Sequence, residues 1–239
     1  MNELGKLASQ AMISPKEMLF EKKKNGKSLF IGIPKETSLQ EKRICLTPLA
    51  VALLVENGHE VLIETGAGTG ANFLDHHYSE QGARIVSSRE EIYQADLIIK
   101  VGSPTVSEVK LMKERQVLLS SQQPSLMNIE VLKALMHKKI TAISYEYLRD
   151  EGGCLAVVRA MSEIVGATAT LIAGEYLSNA FGGKGLMLGG VTGVASTEVV
   201  IIGAGTVGEQ AARTALALGA QVKMSLLAHC GRAMAVLLV

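Results

Sequence analysis

From residue 28 onward, short runs of Val, Ile and Leu alternate with longer segments whose apolar residues recur every three or four positions. The first pattern suits a buried strand and the second a helix with one buried face. The alternation predicts strands over 29–33, 60–64, 84–86, 96–101, 116–120 and 140–144, with helices over 49–56, 89–94, 105–114 and 127–137 between them. Boundary residues agree: Thr47 as N-cap and Pro48 at the first helical position open the helix 49–56, and Asn57-Gly58 closes it. Ser88 followed by Glu91 has the spacing of a capping box. Strands separated by helices call for a parallel sheet covered on both faces, so the fold class is α/β. Residues 1–27 stand apart, with scattered apolar positions between Met12 and Phe20 predicting a short amphipathic helix, then a solvated basic linker from Glu21 to Lys27.

A second pattern starts at 157–180, a long Ala-rich helical stretch whose Gly166, Ala167 and Ala169 permit close packing. Glycine-rich segments at 182–185 and 189–193 lead to a strand at 198–202, which runs into Gly203-Ala204-Gly205-Thr206-Val207-Gly208 and a helix closed by Gly219. The glycines have separate jobs in a dinucleotide-binding turn: Gly203 makes the tight turn, Gly205 lets a pyrophosphate approach bare backbone, and Gly208 lets the helix pack on the strand. The helix N-terminus then offers unpaired N–H groups to the phosphates. The alternative is a turn that only packs a helix on a sheet. The acid that usually holds the ribose is missing, since the second strand ends Lys223-Met224-Ser225-Leu226 and no Asp or Glu follows Glu209. The expected organisation is an extension (1–27), a Rossmann-like N-terminal substrate domain (28–156), and a connector helix with an incomplete Rossmann dinucleotide-binding domain (157–239), from a truncated or frame-shifted gene product. A further glycine cluster, Gly66-Ala67-Gly68-Thr69-Gly70, precedes the mixed segment 71–75 and is expected to be a loop, phosphate binding being the alternative.

A formal charge of +1 gives no electrostatic case for nucleic acid or an anionic membrane. Cys45, Cys154 and Cys230 are scattered and odd in number, as suits reduced thiols in a cytoplasm. No uninterrupted apolar run reaches the roughly 18 residues of a spanning helix, so a soluble cytoplasmic product is expected. No metal is expected.

In open α/β sheets the chemistry lies beyond the carboxyl ends of the strands. Three polar residues fall there: Arg43 after the first strand, Lys100 inside Leu97-Ile98-Ile99-Lys100-Val101, and Gln123 after the fifth strand. A lysine in an apolar strand is costly to bury unless an anionic or carbonyl-like group meets it; otherwise it snorkels to solvent. Arg43 suits bidentate grip of a carboxylate, though a loop arginine is by default a surface residue. Gln123 suits a cofactor amide or a substrate, and an ordinary polar loop explains it equally well.

Several segments together resemble the alanine dehydrogenase and pyridine-nucleotide transhydrogenase α-subunit family: Ile31-Gly32-Ile33-Pro34-Lys35-Glu36-Thr37 with Glu41-Lys42-Arg43 and Thr47-Pro48, Glu64-Thr65-Gly66-Ala67-Gly68, Ile99-Lys100-Val101, Met161-Ser162-Glu163, and Gly189-Gly190-Val191-Thr192-Gly193-Val194. The resemblance runs over about 29–222. It implies a substrate domain, a central NAD domain and a final segment returning to the first. It also implies NAD as cofactor and hydride transfer on a small amino or keto acid, L-alanine to pyruvate plus ammonia. By position it puts Arg43 on the substrate carboxylate and Lys100 on its carbonyl, Met161 and Ser162 along the NAD site, and Gly203, Gly205, Thr206, Val207 and Gly208 at the pyrophosphate. Lys100 and Gln123 are the catalytic positions. Gln123 replaces the catalytic His of alanine dehydrogenases, and an amide cannot serve as its acid–base group. The transhydrogenase subunit also lacks that His and uses a Gln nearby, but its Arg-x-Gln-x-x-Asp type loop has no counterpart in 151–160. An alanine-dehydrogenase-like enzyme, homo-oligomeric, is therefore expected of the full-length parent, and an inactive fragment of it for the 239-residue chain. The alternatives are an NAD(H)-binding transhydrogenase subunit with a membrane partner, and a truncated product without catalysis.

Overall fold

The computed structural model describes residues 28–38, 40–122, 128–225 and 235–238. The helix and basic linker expected within 1–27, Gln123, and the apolar stretch 226–234 lie outside the described residues. The chain divides into two compact units, the first running to Ser120 and resuming through Ile143, the second taking in Ser121 and everything from Ser144 onward.

The first unit holds β1 (Phe30–Ile33), α1 (Pro48–Glu56), β2 (Glu60–Glu64), α2 (Asp75–Ser79), β3 (Arg84–Val86), α3 (Arg89–Ile92), β4 (Leu97–Ile99), α4 (Val106–Leu111), β5 (Val117–Ser120), α5 (Ile129–His137) and β6 (Thr141–Ser144). The strand order is β3-β2-β1-β4-β5-β6, with β1, β2, β3, β4 and β5 joined by parallel pairings. This is the doubly wound arrangement, and its order reverses between β1 and β4. Those two strands pair through Ile31↔Leu97 and Gly32↔Ile98. Gly32 is required there, because a Cβ would stand 2.5 Å from the Ile92 carbonyl oxygen of α3. Successive residues of β2 serve opposite cores: Leu62 joins Ile92, Ile98, Val109 and Leu118, while Val61 and Ile63 join Ile31, Ile33, Val51 and Tyr78. Burial on both faces is why these strands are apolar runs and not alternating ones.

The structure departs from periodicity between β2 and β3. A 3₁₀ turn (Thr69–Ala71) and α2 occupy a segment expected to be loop and mixed. Tertiary bonds fix it: the Gly66 N–H donates to Asp75 Oδ1 at 2.9 Å, and Tyr78 Oη donates to the Leu46 carbonyl at 3.0 Å. The Ser88 cap is only half a capping box. Its hydroxyl accepts from the Glu91 N–H, but the Glu91 carboxylate turns to Arg84 at 2.6 Å. A complete box forms instead at Thr105 and Glu108.

The second unit holds α6 (Ala156–Leu177), β7 (Glu198–Ile202), α7 (Thr206–Ala217), β8 (Gln221–Ser225) and β9 (Ala235–Leu238). Its sheet is ordered β8-β7-β9, with β8 parallel and β9 antiparallel to β7. Helix α6 lies on α7 where Gly166 leaves no room for a side chain, a Cβ there standing 2.3 Å from the Val207 carbonyl oxygen. Thr170 Oγ1 donates to the Ala211 carbonyl at 3.1 Å along the same contact. Although no uninterrupted apolar run reaches the length of a spanning helix, α6 is by length and composition alone apolar enough to cross a membrane. Ile164, Leu171, Ile172 and Tyr176 on it are exposed.

Candidate active site

Within the first unit, charged residues gather where β1 and β4 end, at the reversal of strand order. Lys100 follows β4 directly and continues its ladder, its N–H donating to the Leu119 carbonyl at 3.0 Å. It does not snorkel: the side chain is 1% exposed, and Nζ lies 3.0 Å from both oxygens of Glu108 and 3.6 Å from Glu36 Oε2. The anionic group that a buried lysine demands is thus supplied twice from within the chain. Glu36, just past β1, reaches across to β4, its Oε1 accepting from the Val101 N–H at 2.6 Å and its Oε2 from the Gly102 N–H at 3.4 Å. Glu108 accepts from Thr105 N–H at 2.7 Å and from Thr105 Oγ1 at 3.0 Å. Burial pushes the Glu108 carboxyl up, but Lys100 and the Thr105 donors outweigh it and hold the group below the usual carboxylate range. Neither Glu36 nor Glu108 was singled out by sequence, although Thr105-x-x-Glu108 is a legible capping box eight residues past the lysine.

Arg43 stands in the loop after β1 with its side chain 57% exposed. Its Nε and a terminal nitrogen donate to the two oxygens of Glu41 at 2.8 and 2.7 Å, the fork geometry a bound carboxylate would also take. That bond, working against some burial, holds the Glu41 carboxyl below its ordinary value. Arg89 braces the same edge by donating to Glu64 and to the Lys35 carbonyl. In the nearby Gly66 cluster three N–H groups are already used: Gly66 on Asp75, Ala67 on the Glu64 carbonyl and Thr69 on the Gly66 carbonyl.

Cys45 Sγ donates to the Ile99 carbonyl at 3.3 Å. Burial, and then the Glu36 charge, push its thiol up to about 12. Cys154 is exposed. Iodoacetamide at pH 8 should therefore label Cys154 in the folded chain and reach Cys45 only after denaturation; peptide mapping that finds Cys45 alkylated first would contradict this placement.

In the second unit the two outer glycines of the β7–α7 turn have the geometry their proposed jobs need. Gly203 has φ 109°, and at Gly208 a Cβ would stand 2.0 Å from the Gly203 carbonyl oxygen. At Gly205 a Cβ would meet nothing within 4 Å, so one face of that backbone is open. The N–H groups of Gly205, Thr206 and Val207 have no acceptor among the described residues. Thr206 and Ser162 meet on one cleft of about 710 Å³, which Arg149, Arg159, Arg213 and Glu209 also line. Arg159 and Arg213 are engaged along their own helices by Glu163 and Glu209 at 3.1 and 2.7 Å. Met161, half-buried, is not among the lining residues. The second strand carries Lys223, paired with Glu198 at 2.7 Å, and no acid.

Residues 32–165 match the family model described as alanine dehydrogenase/PNT, N-terminal domain, and residues 169–227 the corresponding C-terminal domain. Among curated proteins, an alanine dehydrogenase of Staphylococcus epidermidis is 42% identical over 197 residues, covering 80% of this chain and 52% of that protein. That of Bacillus subtilis is 39% identical over 198 residues, covering 81% and 51%. The chain therefore spans about half the length of the curated relatives it matches. Among solved structures, an L-alanine dehydrogenase superposes with a TM-score of 0.76 at 40% identity, covering 81% of this chain and 54% of that one. A transhydrogenase from Sinorhizobium meliloti does so with 0.72 at 25% identity, covering 83% and 59%.

Proposed function

Because the chain belongs to the alanine dehydrogenase/PNT family, we propose that the protein is an NAD-dependent oxidoreductase that moves a hydride between the nicotinamide and a small amino or keto acid, L-alanine and pyruvate plus ammonia being the pair. The observation that carries this reading is the β7–α7 turn, where a φ of 109° at Gly203, an open backbone face at Gly205 and the free first turn of α7 together suit a pyrophosphate. NAD supplies the redox chemistry when bound. Gly203, Gly205, Thr206, Val207 and Gly208 hold its phosphates, and Ser162 and Met161 line its site.

At the carboxyl end of the first sheet, Arg43 grips the substrate carboxylate by exchanging Glu41 for it. The Arg43 side chain is 57% exposed, so a substrate carboxylate can reach its fork from solvent. Lys100 serves the same crevice from inside the sheet. Gln123 holds an amide or carbonyl oxygen and leaves proton transfer to water, since its side chain does not titrate. The protein works in the cytoplasm on a small-molecule substrate, as a homo-oligomer. The transhydrogenase-subunit reading stands second, supported by the Gln at position 123, and would show as a membrane partner that copurifies.

Titration of the 239-residue chain with NADH, followed by nicotinamide fluorescence, tests the cofactor assignment. Binding is expected, weakened by the lack of an acid on β8; no binding by a folded chain would remove the NAD reading. Oxidation of NADH with pyruvate and ammonia, lost in Arg43→Ala, tests the substrate assignment.

A further inference from the structure

Glu108 holds the Lys100 ammonium with both of its oxygens, each 3.0 Å from Nζ, and the two side chains are 2% and 1% exposed. An ammonium has three donors. Two are spent on Glu108, and the third makes no hydrogen bond among the described residues, Glu36 Oε2 standing 3.6 Å away. A lysine this far from water gives up its proton readily unless an anion holds the charge. The neutral amine that results attacks a carbonyl carbon instead of donating to its oxygen. We propose that Glu108 is a positioning residue for the substrate carbonyl: it keeps Lys100 an ammonium and leaves one N–H, set by the other two, to meet the oxygen. The proposal rests on the reading of the β1–β4 crevice as the substrate site, with Lys100 on the carbonyl.

Glu108 is surrounded so as to stay ionised. Its Oε2 also accepts from the Thr105 N–H at 2.7 Å and from Thr105 Oγ1 at 3.0 Å, closing the capping box ahead of α4. Burial raises its pKa, yet Lys100 and the Thr105 donors hold it below the usual carboxylate range. The other titratable groups near the pair do not replace it. Glu36 gives its oxygens to the N–H groups of Val101 and Gly102 at 2.6 and 3.4 Å. Arg89 acts on Glu108 only through space and is itself bonded to Glu64. The Tyr93 hydroxyl and the Cys45 thiol are neutral, since burial pushes both up. Among the described residues, Glu108 is therefore the one anion hydrogen-bonded to the Lys100 ammonium.

Pyruvate binding to the 239-residue chain, followed by saturation-transfer NMR at pH 6.5 and 8.5, tests this. Glu108→Gln keeps the size of the side chain and an acceptor for the Thr105 cap while removing the charge; Glu108→Asp keeps the charge. Relative to wild type, Glu108→Gln should bind pyruvate about tenfold more weakly at pH 8.5 and regain most of that loss at pH 6.5, where the buried amine takes its proton back. Any loss in Glu108→Asp should be the same at both pH values. A Glu108→Gln chain that binds as wild type at pH 8.5, or is weakened equally at both, overturns the proposal, as does a Glu108→Asp loss that grows with pH. Should Glu108→Gln not fold, the wild type decides. Cyanoborohydride added with pyruvate reduces any imine between the two to a secondary amine, and peptide mapping that finds Lys100 so modified overturns the proposal, whereas an untouched Lys100 beside modified surface lysines supports it. If pyruvate binds to neither chain, the crevice is not a substrate site, and the Lys100 Nζ signal alone decides the hold of Glu108 on the charge: deprotonation at lower pH in Glu108→Gln than in wild type supports it, and deprotonation at the same pH overturns it.

Discussion

Lys100→Met by itself should lower the unfolding free energy of the first unit by about 3–5 kcal/mol, the cost of breaking a buried ion pair on one side. The two carboxylates it leaves, on Glu108 and Glu36, have side chains only 2% and 10% exposed. The effect carries a pH signature. In the wild type the folded Glu108 pKa lies below its ordinary value. Its contribution to stability is therefore complete above the unfolded pKa of about 4.3, and is lost as pH falls through the lower folded value. Without the ammonium, burial, the largest influence on this carboxyl, should push the folded pKa above the unfolded one. The sign then reverses: the variant should gain stability as pH is lowered from 7 toward 5, where the wild-type Glu108 contribution is constant. Urea unfolding across that range is the measurement. A variant that loses under about 1 kcal/mol, with no dependence on pH, would show that the cluster is not the buried ion network described.

The second large effect falls on the β7–α7 turn, where two Gly→Ala substitutions should separate folding from binding. At Gly208 the added methyl would lie 2.0 Å from the Gly203 carbonyl oxygen. Neither atom can swing away, since both groups are held by backbone, so the first turn of α7 must move off β7. A cost of about 1–3 kcal/mol or more is expected, together with loss of NADH binding. At Gly205 the added methyl meets no protein atom, and φ of −79° suits alanine. Gly205→Ala should keep the wild-type melting temperature while weakening NADH, because the methyl would stand where the proposed pyrophosphate contact lies. A Gly208→Ala chain that melts with the wild type would contradict the packing role. A Gly205→Ala chain that binds NADH as tightly would remove the phosphate from that backbone.

Apolar period, caps and turn residues act over a few positions, so the sequence by itself determined most element types. The Val/Ile/Leu runs became parallel strands because both faces of the sheet are covered, and Thr47, Pro48 and Gly219 mark ends where the structure has them. The Gly203-Ala204-Gly205 turn was legible because its strand, glycines and helix are contiguous. Residues 69–79 were not, since their turn and helix depend on Asp75 and Tyr78 finding Gly66 and Leu46. Composition could not separate the two glycine clusters either. Both are rich in glycine, and they differ in that three N–H groups of the first, those of Gly66, Ala67 and Thr69, are bonded inside the chain. Lys100 shows the limit most sharply. That a lysine in an apolar strand needs an anion follows from its charge alone, but which anion depends on Glu36, 64 positions earlier in sequence, and on Glu108, one helix cap later. The pairing of β1 with β4 brings Glu36 there, and the Thr105 cap turns Glu108 inward. Local propensity can state the electrostatic requirement; only the tertiary structure decides whether a ligand or the chain itself meets it, because charge acts through space between residues that the sheet, and not the sequence, makes neighbours.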